Sequence, residues 1–573
     1  MSLMSALSAA VSGLRTTQAG INLVSQNVAN ADSAGYTRKI IQPVQTLNGA
    51  QSSGVKTGAV QRAMDDMLVR QLNTETSGAG YANTRAEFAT ALGRLFGTPG
   101  EASSLDDAMN EFTNKLTTLT NEPSSFAARQ AVLASGQTLA GRIGSIANGV
   151  QELRSQAEGR IDAAVTRANE LLEGIAEVNG QITAENLRGG SAALEDERDR
   201  MLNELAGLMD INVQKGQNGS IMVRTPSGQT LFDGSSPTKL SFDRRPALDA
   251  GMSYDAANSG VGVISAETGS GARFDLIAGG AFRSGEIAAA LEMRDEILPQ
   301  AQLQLDEMAA GLARAFSDRP TELNGNTLEF AANEASTAEF TLDGQFYRVS
   351  AANLGDLQTE LQGAPYNLTV ALAGNDMTIT SGAGALNLLG GSSTRGVSQA
   401  APPNGTDEFP FFVDRGNGNA TFTGVDGEIT GFAQRMGVNT DVLSDASLLV
   451  KSETATPQGD QSRPQAVLDA LTSRQQIFSP GSGIGGVAAP VTTTVTDFSR
   501  RIVEMQGAAT ETAKRLDEGQ KVALNSIQSR FSETAGVNID QEMAQLVQLQ
   551  TAYGANARIM SAVREMMDTL MRI

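Results

Sequence analysis

Apolar residues fall on a seven-residue beat at the N-terminal end of the chain. Residues 3–30 contain no proline and a single charge, Arg15. Leu7, Leu14, Ile21 and Val28 form one stripe, and Leu3, Ala10, Thr17 and Val24 form the stripe beside it. That spacing predicts a helix of about 42 Å with a coiled-coil seam. A second beat lies at the other end of the chain. Leu546, Tyr553, Met560 and Met567 repeat every seven, flanked by Leu549, Val563 and Leu570, and no proline follows Pro490. The two ends are expected to pair, with everything between them carried on that pair.

Between the ends the pattern changes several times. Residues 40–62 read as irregular or extended. Helical spacing dominates 64–209 and is strongest over 150–182, where apolar residues step by threes and fours from Val150 to Ile182. Gly159, Gly174 and Gly180 each weaken that helix by about 1 kcal/mol, so neighbours must hold it. The next helix, 194–209, carries Glu195, Asp196, Glu197, Arg198, Asp199 and Arg200, read as a solvated outer face. At Ile211 the period becomes alternating. Short strands are predicted at 211–213, 221–223 and 230–232, with Asn218-Gly219 as a tight hairpin turn. Strand-like segments run to about Phe282. Helix returns over 286–316, where Pro299 is expected to kink or break it. Two more hairpins are predicted, 340–349 around Asp343-Gly344 and 368–380. Pro402-Pro403 and 480–490 read as linkers. From Val491 the chain is helical, with a break at 533–536.

The fold class that follows is multidomain α plus β: a terminal α-helical coiled-coil stem and helical bundle with inserted β-rich outer domains. The expected divisions are 1–62 (terminal helix and extended exit), 63–210 (helical), 211–285 (β-rich), 286–316 (helix) and 317–425 (outer β-rich insertion). They continue with 426–490 (return segment and linker), 491–535 (helical) and 536–573 (C-terminal coiled-coil helix).

At 573 residues the chain is too long for one core. Aromatic residues are scarce at 5%, with no Trp, while Gly and Ala abound, which suits long helices in close contact. Cysteine and histidine are both absent. That excludes disulfides, thiolate nucleophiles, Ser–His–Asp triads and the common zinc sites. The net charge of −21 argues against nucleic acid or an anionic membrane as a partner. No apolar run is long enough to span a bilayer. The N-terminus lacks a basic segment and does not read as a secretory signal, so export would take another route.

Several motifs resemble sites without their context. GSGIGG (481–486) fits GxGxxG but has no strand predicted before it or helix after it. Asp414, Asn417 and Asn419 lack EF-hand spacing. Four N-x-S/T sites, at Asn218, Asn367, Asn404 and Asn419, are what chance gives in such loops. A glycosidase in the outer β domain would need two paired carboxylates in a cleft. Asp407, Glu408, Asp414, Asp426 and Glu428 are available, but nothing in the sequence pairs them. A signalling coiled coil is disfavoured by the proline-rich β insertion. No catalytic residue, metal or cofactor is expected.

The turns at the two ends carry more information. NVANADSAGYTRK (27–39) ends the first helix. A helix stop and loop account for Asn30 and Gly35 but not for Asn27 inside the last turn. The last helix has a start signal, with Asn538 as cap and Gln541 three residues on. Asp540 and Glu542 then sit at the positive end of the helix dipole, read as helix-start residues and not catalytic ones. The seams themselves are sparse, since Ala10 and Thr17 bury little. The ends are expected to be loose in a free monomer and to order as more surface is covered.

SGLRTTQAGINLVSQNVANADSAGYTR (12–38) resembles the N-terminal motif of the bacterial flagellar rod, hook and hook-associated proteins. The similarity rests on Ser12, Gly13, Leu14, Gln18, Ile21, Ser25, Asn27, Val28, Ala29, Asn30, Gly35, Tyr36 and Arg38, with Ser33 where the family usually has Thr. GVNIDQEMAQLVQLQTAYGANAR (536–558) is similar to the matching C-terminal motif. Residues 122–143, 194–213 and 285–309 resemble the members that join hook to filament, whereas 317–420 has no clear counterpart.

The resemblance implies a structural, non-enzymatic subunit exported through the flagellar type III apparatus. A dedicated chaperone would cover the C-terminal helix. The subunit would polymerise outside the cell into the hook–filament junction of the flagellum. Its implied partners are itself, the hook protein and a second junction protein, with no nucleic acid and no membrane. A hook or distal-rod role is the alternative, followed by an axial protein with an enzymatic outer domain. The polymer interface is expected at Leu7, Leu14, Gln18, Ile21, Asn27, Val28, Asn30, Gly35, Tyr36 and Arg38. At the other end it is expected at Asn538, Asp540, Glu542, Met543, Leu546, Gln550, Tyr553, Met560, Val563, Met567 and Leu570.

Overall fold

The computed structural model describes residues 3–33, 35–48, 51–98, 100–102, 104–186, 190–267, 273–382, 384–395, 407–450, 459–485 and 489–572. Helix α1, Leu3–Ala29, runs for 27 residues and stops where Asn30, Ser33 and Gly35 turn the chain. Gly35 takes a φ of +79°, a conformation open to glycine at little cost. The segment read as irregular or extended is an antiparallel ribbon of two strands, β1 (Lys39–Asn48) and β2 (Gln51–Arg62), lying on α1. Register shifts at Ile41/Pro43 and Thr46/Leu47 break its alternation, which hid it in the sequence.

The helical body begins with α2 (Asp66–Phe96), α3 (Leu105–Asn121), α4 (Phe126–Asn186) and α5 (Ala192–Leu208). Helix α4 is 61 residues long, far beyond the expected 150–182, because it serves two cores. Its first part packs Ile143, Ile146 and Val150 into a core with Phe88, Phe112, Phe316, Phe411 and Phe498. Its second part packs Ile161, Leu172 and Ile175 against Leu205, Val223, Phe232 and Ile264.

Where one core gives way to the other lie buried ions. Arg294 and Glu158 are both 0% exposed, with Nη1 3.2 Å from Oε1. Glu158 also accepts from Gly262 N at 2.7 Å, and Arg154 donates to the carbonyls of Asp249 and Met252. These bonds hold the irregular segment 243–262 against the helices.

Pro299 does not break its helix. Helix α6 (Gly285–Glu292) passes through a π turn, Met293–Ile297, into α7 (Leu298–Ser317). The wider turn, closed by Leu298 N on Met293 O, accommodates a proline that has no N–H to give.

The strands form small antiparallel sheets. Asn212–Lys215, Ile221–Arg224 and Thr230–Phe232 make one meander, and Lys239–Phe242, Ile264–Glu267 and Arg273–Asp275 another. Asn218 and Gly219 take φ values of 55° and 78°, the positive-φ turn their types favour. The outer domain has two four-stranded sheets with α8 (Leu354–Gln362) packed on them. Its predicted hairpins are present as Ala335–Leu342 with Gln345–Ala351, and Thr369–Ala373 with Asp376–Thr380.

The described residues of 426–490, read as a return segment and linker, contribute to the main core. Short helices α9 (Phe432–Arg435), α10 (Thr440–Ser444) and α11 (Ser462–Thr472) bury Phe432, Val442 and Leu471 there. The 480–490 stretch is not a free linker either, since Ser482 and Ile484 are buried and Gln304 Nε2 donates to Ser482 O at 2.8 Å. A strand, Gln476–Phe478, does precede GSGIGG, but it pairs antiparallel with Val491–Thr493. The glycines therefore sit in a hairpin connection and not a dinucleotide unit. Gly486 and Pro402-Pro403 lie outside the described residues.

Two long helices complete the chain, α12 (Val495–Ala535, 41 residues) and α13 (Ile539–Arg572, 34 residues). The break between them lies at 536–538, slightly later than expected. No helix among the described residues is long and apolar enough to cross a membrane.

An aromatic cluster lies in the main core of the body. The Phe411 ring lies 4.6 Å from Phe316 and 5.9 Å from Phe112, stacked on both. Phe411→Ala should cost about 3–5 kcal/mol and lower the urea midpoint of the helical body. An unchanged midpoint would place the body's stability elsewhere.

Candidate functional site

The chain's two ends meet at a buried polar lock. Asn27, in the last turn of α1, is 1% exposed. Its Nδ2 donates to Lys39 O at 2.9 Å and to Glu542 Oε2 at 3.0 Å. Its Oδ1 accepts from Tyr36 OH at 2.9 Å and from Lys39 N at 3.1 Å. Both donors and both acceptor positions of one amide are used. Glu542 is also 1% exposed and takes Arg38 Nε at 2.7 Å on its other oxygen. The Arg38 backbone N–H donates to Ala535 O at 2.7 Å, and its carbonyl accepts from Ala63 N at 2.8 Å. Asn538 caps α13 by accepting from Gln541 N at 3.1 Å, which brings Glu542 to the inner face one turn on.

A second ring of contacts comes from α5, and here the expected solvated face needs correction. Arg62 pairs with Glu195 (2.9 Å), Asp196 (3.2 Å) and Asp199 (2.7 Å). Thr37 Oγ1 donates to Asp196 at 2.5 Å, and Lys39 Nζ lies 3.2 Å from Asp196 and 3.9 Å from the centre of the Tyr36 ring. Arg198 is buried and donates to Asn179 Oδ1 and Gly219 O. Burial alone would lower the Arg62 pKa, but Asp199, Glu195 and Asp196 outweigh it and hold it above its ordinary value. Burial, then the charges of Asp196 and Glu542, push the Tyr36 hydroxyl from 10.0 up to about 12.

Beyond the lock α1 and α13 run side by side with little apolar burial. The buried stripe is the weaker one, Ala10, Thr17 and Val24, joined by Leu23. Leu7, Leu14, Ile21 and Val28, the other stripe of the expected seam, are only half-buried. The helices approach at small residues. A Cβ on Gly13 would lie 3.0 Å from Asn556, and one on Gly20 would lie 3.1 Å from Leu549.

Among the described residues of α13 only Val563 and Glu542 are buried. Leu546, Tyr553, Met560 and Met567 are half-buried, and Asp540, Met543 and Gln550 are exposed. Gln18 is exposed, and Asn30 donates to Gln26 O. The Leu570 side chain lies outside the described residues. The sequence reading missed Thr37, Lys39, Arg62, Asp196 and Ala535. The opposed charges of Arg62 and the 195–199 run were the available signal, but sequence distance concealed the pairing.

A family model described as "Flagellar hook-associated protein FlgK helical domain" matches residues 90–327. Another, "Flagellar basal body rod FlgEFG protein C-terminal", matches 528–573. Flagellar hook-associated protein 1 of Escherichia coli K12 is 24% identical over 579 residues, covering 98% of each chain. Its namesake from Salmonella typhimurium is 24% identical over 592 residues, 98% of this chain and 99% of that one. The Bacillus subtilis protein of the same name is 23% identical over 571 residues, 97% of this chain and 95% of that one. A solved structure, of the flagellar hook junction protein FlgK from Burkholderia pseudomallei, matches with a TM-score of 0.46 and 14% identity. It covers 80% of this chain and 99% of that one.

Two outcomes test the lock. Asn27→Asp keeps the shape but cannot donate, and it sets a second carboxylate against Glu542. It should cost about 1–3 kcal/mol and speed amide exchange in α1 and α13 while leaving α4 unchanged. Equal exchange in both proteins would mean that the amide does not hold the ends. The raised Tyr36 value gives a pH signature. The neutral phenol stabilises the folded lock below pH 10, and that contribution is lost as the pH rises through about 12. Tyr36→Phe should remove the alkaline loosening of the terminal helices, read by the same exchange experiment between pH 9 and about 12.

Proposed function

We infer that this chain, which belongs to the flagellar hook-associated protein 1 family, is a structural subunit that polymerises through its terminal helices at the junction between hook and filament. The observation that carries the reading is the imbalance of the terminal pair. A fully satisfied polar lock fixes its base, yet Ile539, Met543, Val547, Ile559 and Met566 remain 46–58% exposed along α13. Leu7, Leu14 and Ile21 are half-exposed along α1. Exposed apolar stripes on both sides of a helix pair suit a protein whose remaining burial comes from copies of itself.

The subunit leaves the cell through the flagellar type III apparatus and works outside it. A chaperone of the export route covers the apolar stripe of α13 before assembly. In the finished organelle the subunit contacts the hook protein on one side and the second hook–filament junction protein on the other. The outer β domain faces outward. The role is mechanical and not enzymatic: to join two different tubes.

Leu14→Asp and Leu546→Asp should each leave the circular dichroism and urea midpoint of the helical body unchanged. Cells carrying either should make hooks without filaments and shed filament protein into the medium. Normal filaments on such cells would overturn the assignment of these faces to assembly.

A further inference from the structure

A cleft of ≈ 470 Å3 opens where the outer β domain meets the helical body. Its volume falls in the range of small-molecule sites, and its place between two packed units is a common one for them. One wall is built from aromatic rings. Tyr347 and Tyr366 meet edge to face, with centroids 5.2 Å apart at 82°. Both line the cleft half-buried, and neither hydroxyl is engaged by another group among the described residues. The opposite wall is the loop 423–428. Glu428 ties it down by accepting from Thr423 N at 2.8 Å and Gly424 N at 3.0 Å.

The charged groups of the cleft are the carboxylates Glu307, Glu360 and Asp426 and the guanidiniums Arg314 and Arg348. Glu307 is 2% exposed. Its Oε1 takes Arg348 Nη1 at 2.7 Å, while its Oε2 is buried with no partner. A carboxylate oxygen left unpaired in that setting is costly, and a donor from a bound molecule would remove the cost. Glu360 and Asp426 stand exposed at the rim, with no ion pair among the described residues.

This lining selects among ligand classes. An anion would face Glu307, Glu360 and Asp426, while Arg348 is already paired with Glu307 and Glu339, and Arg314 Nη1 lies 4.0 Å from Glu339. An apolar molecule would leave the Glu307 oxygen unpaired. A cation would approach Glu307 against the Arg348 guanidinium beside it. A molecule with apolar C–H faces and neutral hydroxyl donors meets every demand. Its faces stack on the rings and its hydroxyls donate to the carboxylates.

We propose that this cleft binds a neutral oligosaccharide, with Tyr347 and Tyr366 as the stacking corner and Glu307 and Glu360 as hydroxyl acceptors. The site belongs to the outer domain and its seat on the body, remote in sequence from the terminal helices, so its function is separable from assembly.

Saturation-transfer NMR on the full chain tests it, with chitotriose, maltotriose and tri-lysine as separate probes. At least one trisaccharide should show saturable transfer to its ring C–H protons. Tyr366→Ala should weaken that binding at least ten-fold, Tyr366→Phe should keep most of it, and Glu360→Gln should weaken it about three-fold. Transfer to neither sugar overturns the proposal, as does sugar binding that survives Tyr366→Ala. Transfer to tri-lysine that Glu360→Gln abolishes would identify a cationic peptide site and overturn it as well. Filament assembly should be unaffected by Tyr366→Ala, which separates this test from that of the terminal helices.

Discussion

The structure depends on a single buried amide. Asn27 touches the end of the first helix, the start of the ribbon and the start of the last helix together. Three of its four hydrogen bonds are buried and the fourth, from Tyr36, is partly so, so losing one leaves a cost and not merely the absence of a gain. Arg38 extends the point of contact. Its backbone reaches Ala535 and Ala63, and its side chain reaches Glu542 and Gln545. The ends of α12 and α13, the approach to α2 and the exit from α1 are thereby held in one place. The acidic face of α5 then grips the same exit strand through Thr37, Lys39 and Arg62.

This division of labour explains why the terminal pair is well specified and yet thinly packed. Polar contacts of fixed geometry set register, as a single buried polar residue does in a coiled coil, at some cost in stability. The close approach at Gly13 and Gly20 supplies little area. The larger apolar residues of α1 and α13 are consequently left at or near the surface. A monomer designed to stand alone would bury Leu14 and Ile21 and expose Ala10 and Thr17. This chain buries Ala10 and Thr17 and leaves Leu14 and Ile21 only half-buried, which makes sense when further helices pack on the outside.

Much of this was legible in the sequence where local chemistry decides the outcome. The Asn218-Gly219 and Asp343-Gly344 turns need positive φ, and the residues that tolerate it are there. Asn538 and Gln541 mark a helix start for the same local reason. What was hidden depends on partners distant in the chain. The acids of α5 look like any solvated face until Arg62 is laid across them. The α1 ribbon lacked a clean alternation because its register shifts twice. Residues 426–450 form elements of three to five residues, too short for a period to emerge. The chain also gave no sign of which of two adjacent stripes on α1 would face inward, since that depends on where the ribbon and α13 lie.

The long helix α4 poses the same question on a larger scale, since one rigid element runs through two apolar cores. Between Ala157, which belongs to the first, and Ile161, which belongs to the second, lies Glu158 paired with Arg294. A fully buried ion pair contributes little net stability, because desolvation offsets the attraction, while removal of one partner leaves a charge stranded. Its value is positional. Arg294 sits in the π turn that carries α6 into α7, and it also binds Asp295 and the Gly262 carbonyl. Arg154 fastens the same irregular segment at Asp249 and Met252. Apolar contacts carry little directional information about how the two cores sit along α4. Ions that must each find a particular carbonyl or carboxylate supply it. The body of this subunit is thus indexed by buried polar geometry at its centre, as its ends are at Asn27.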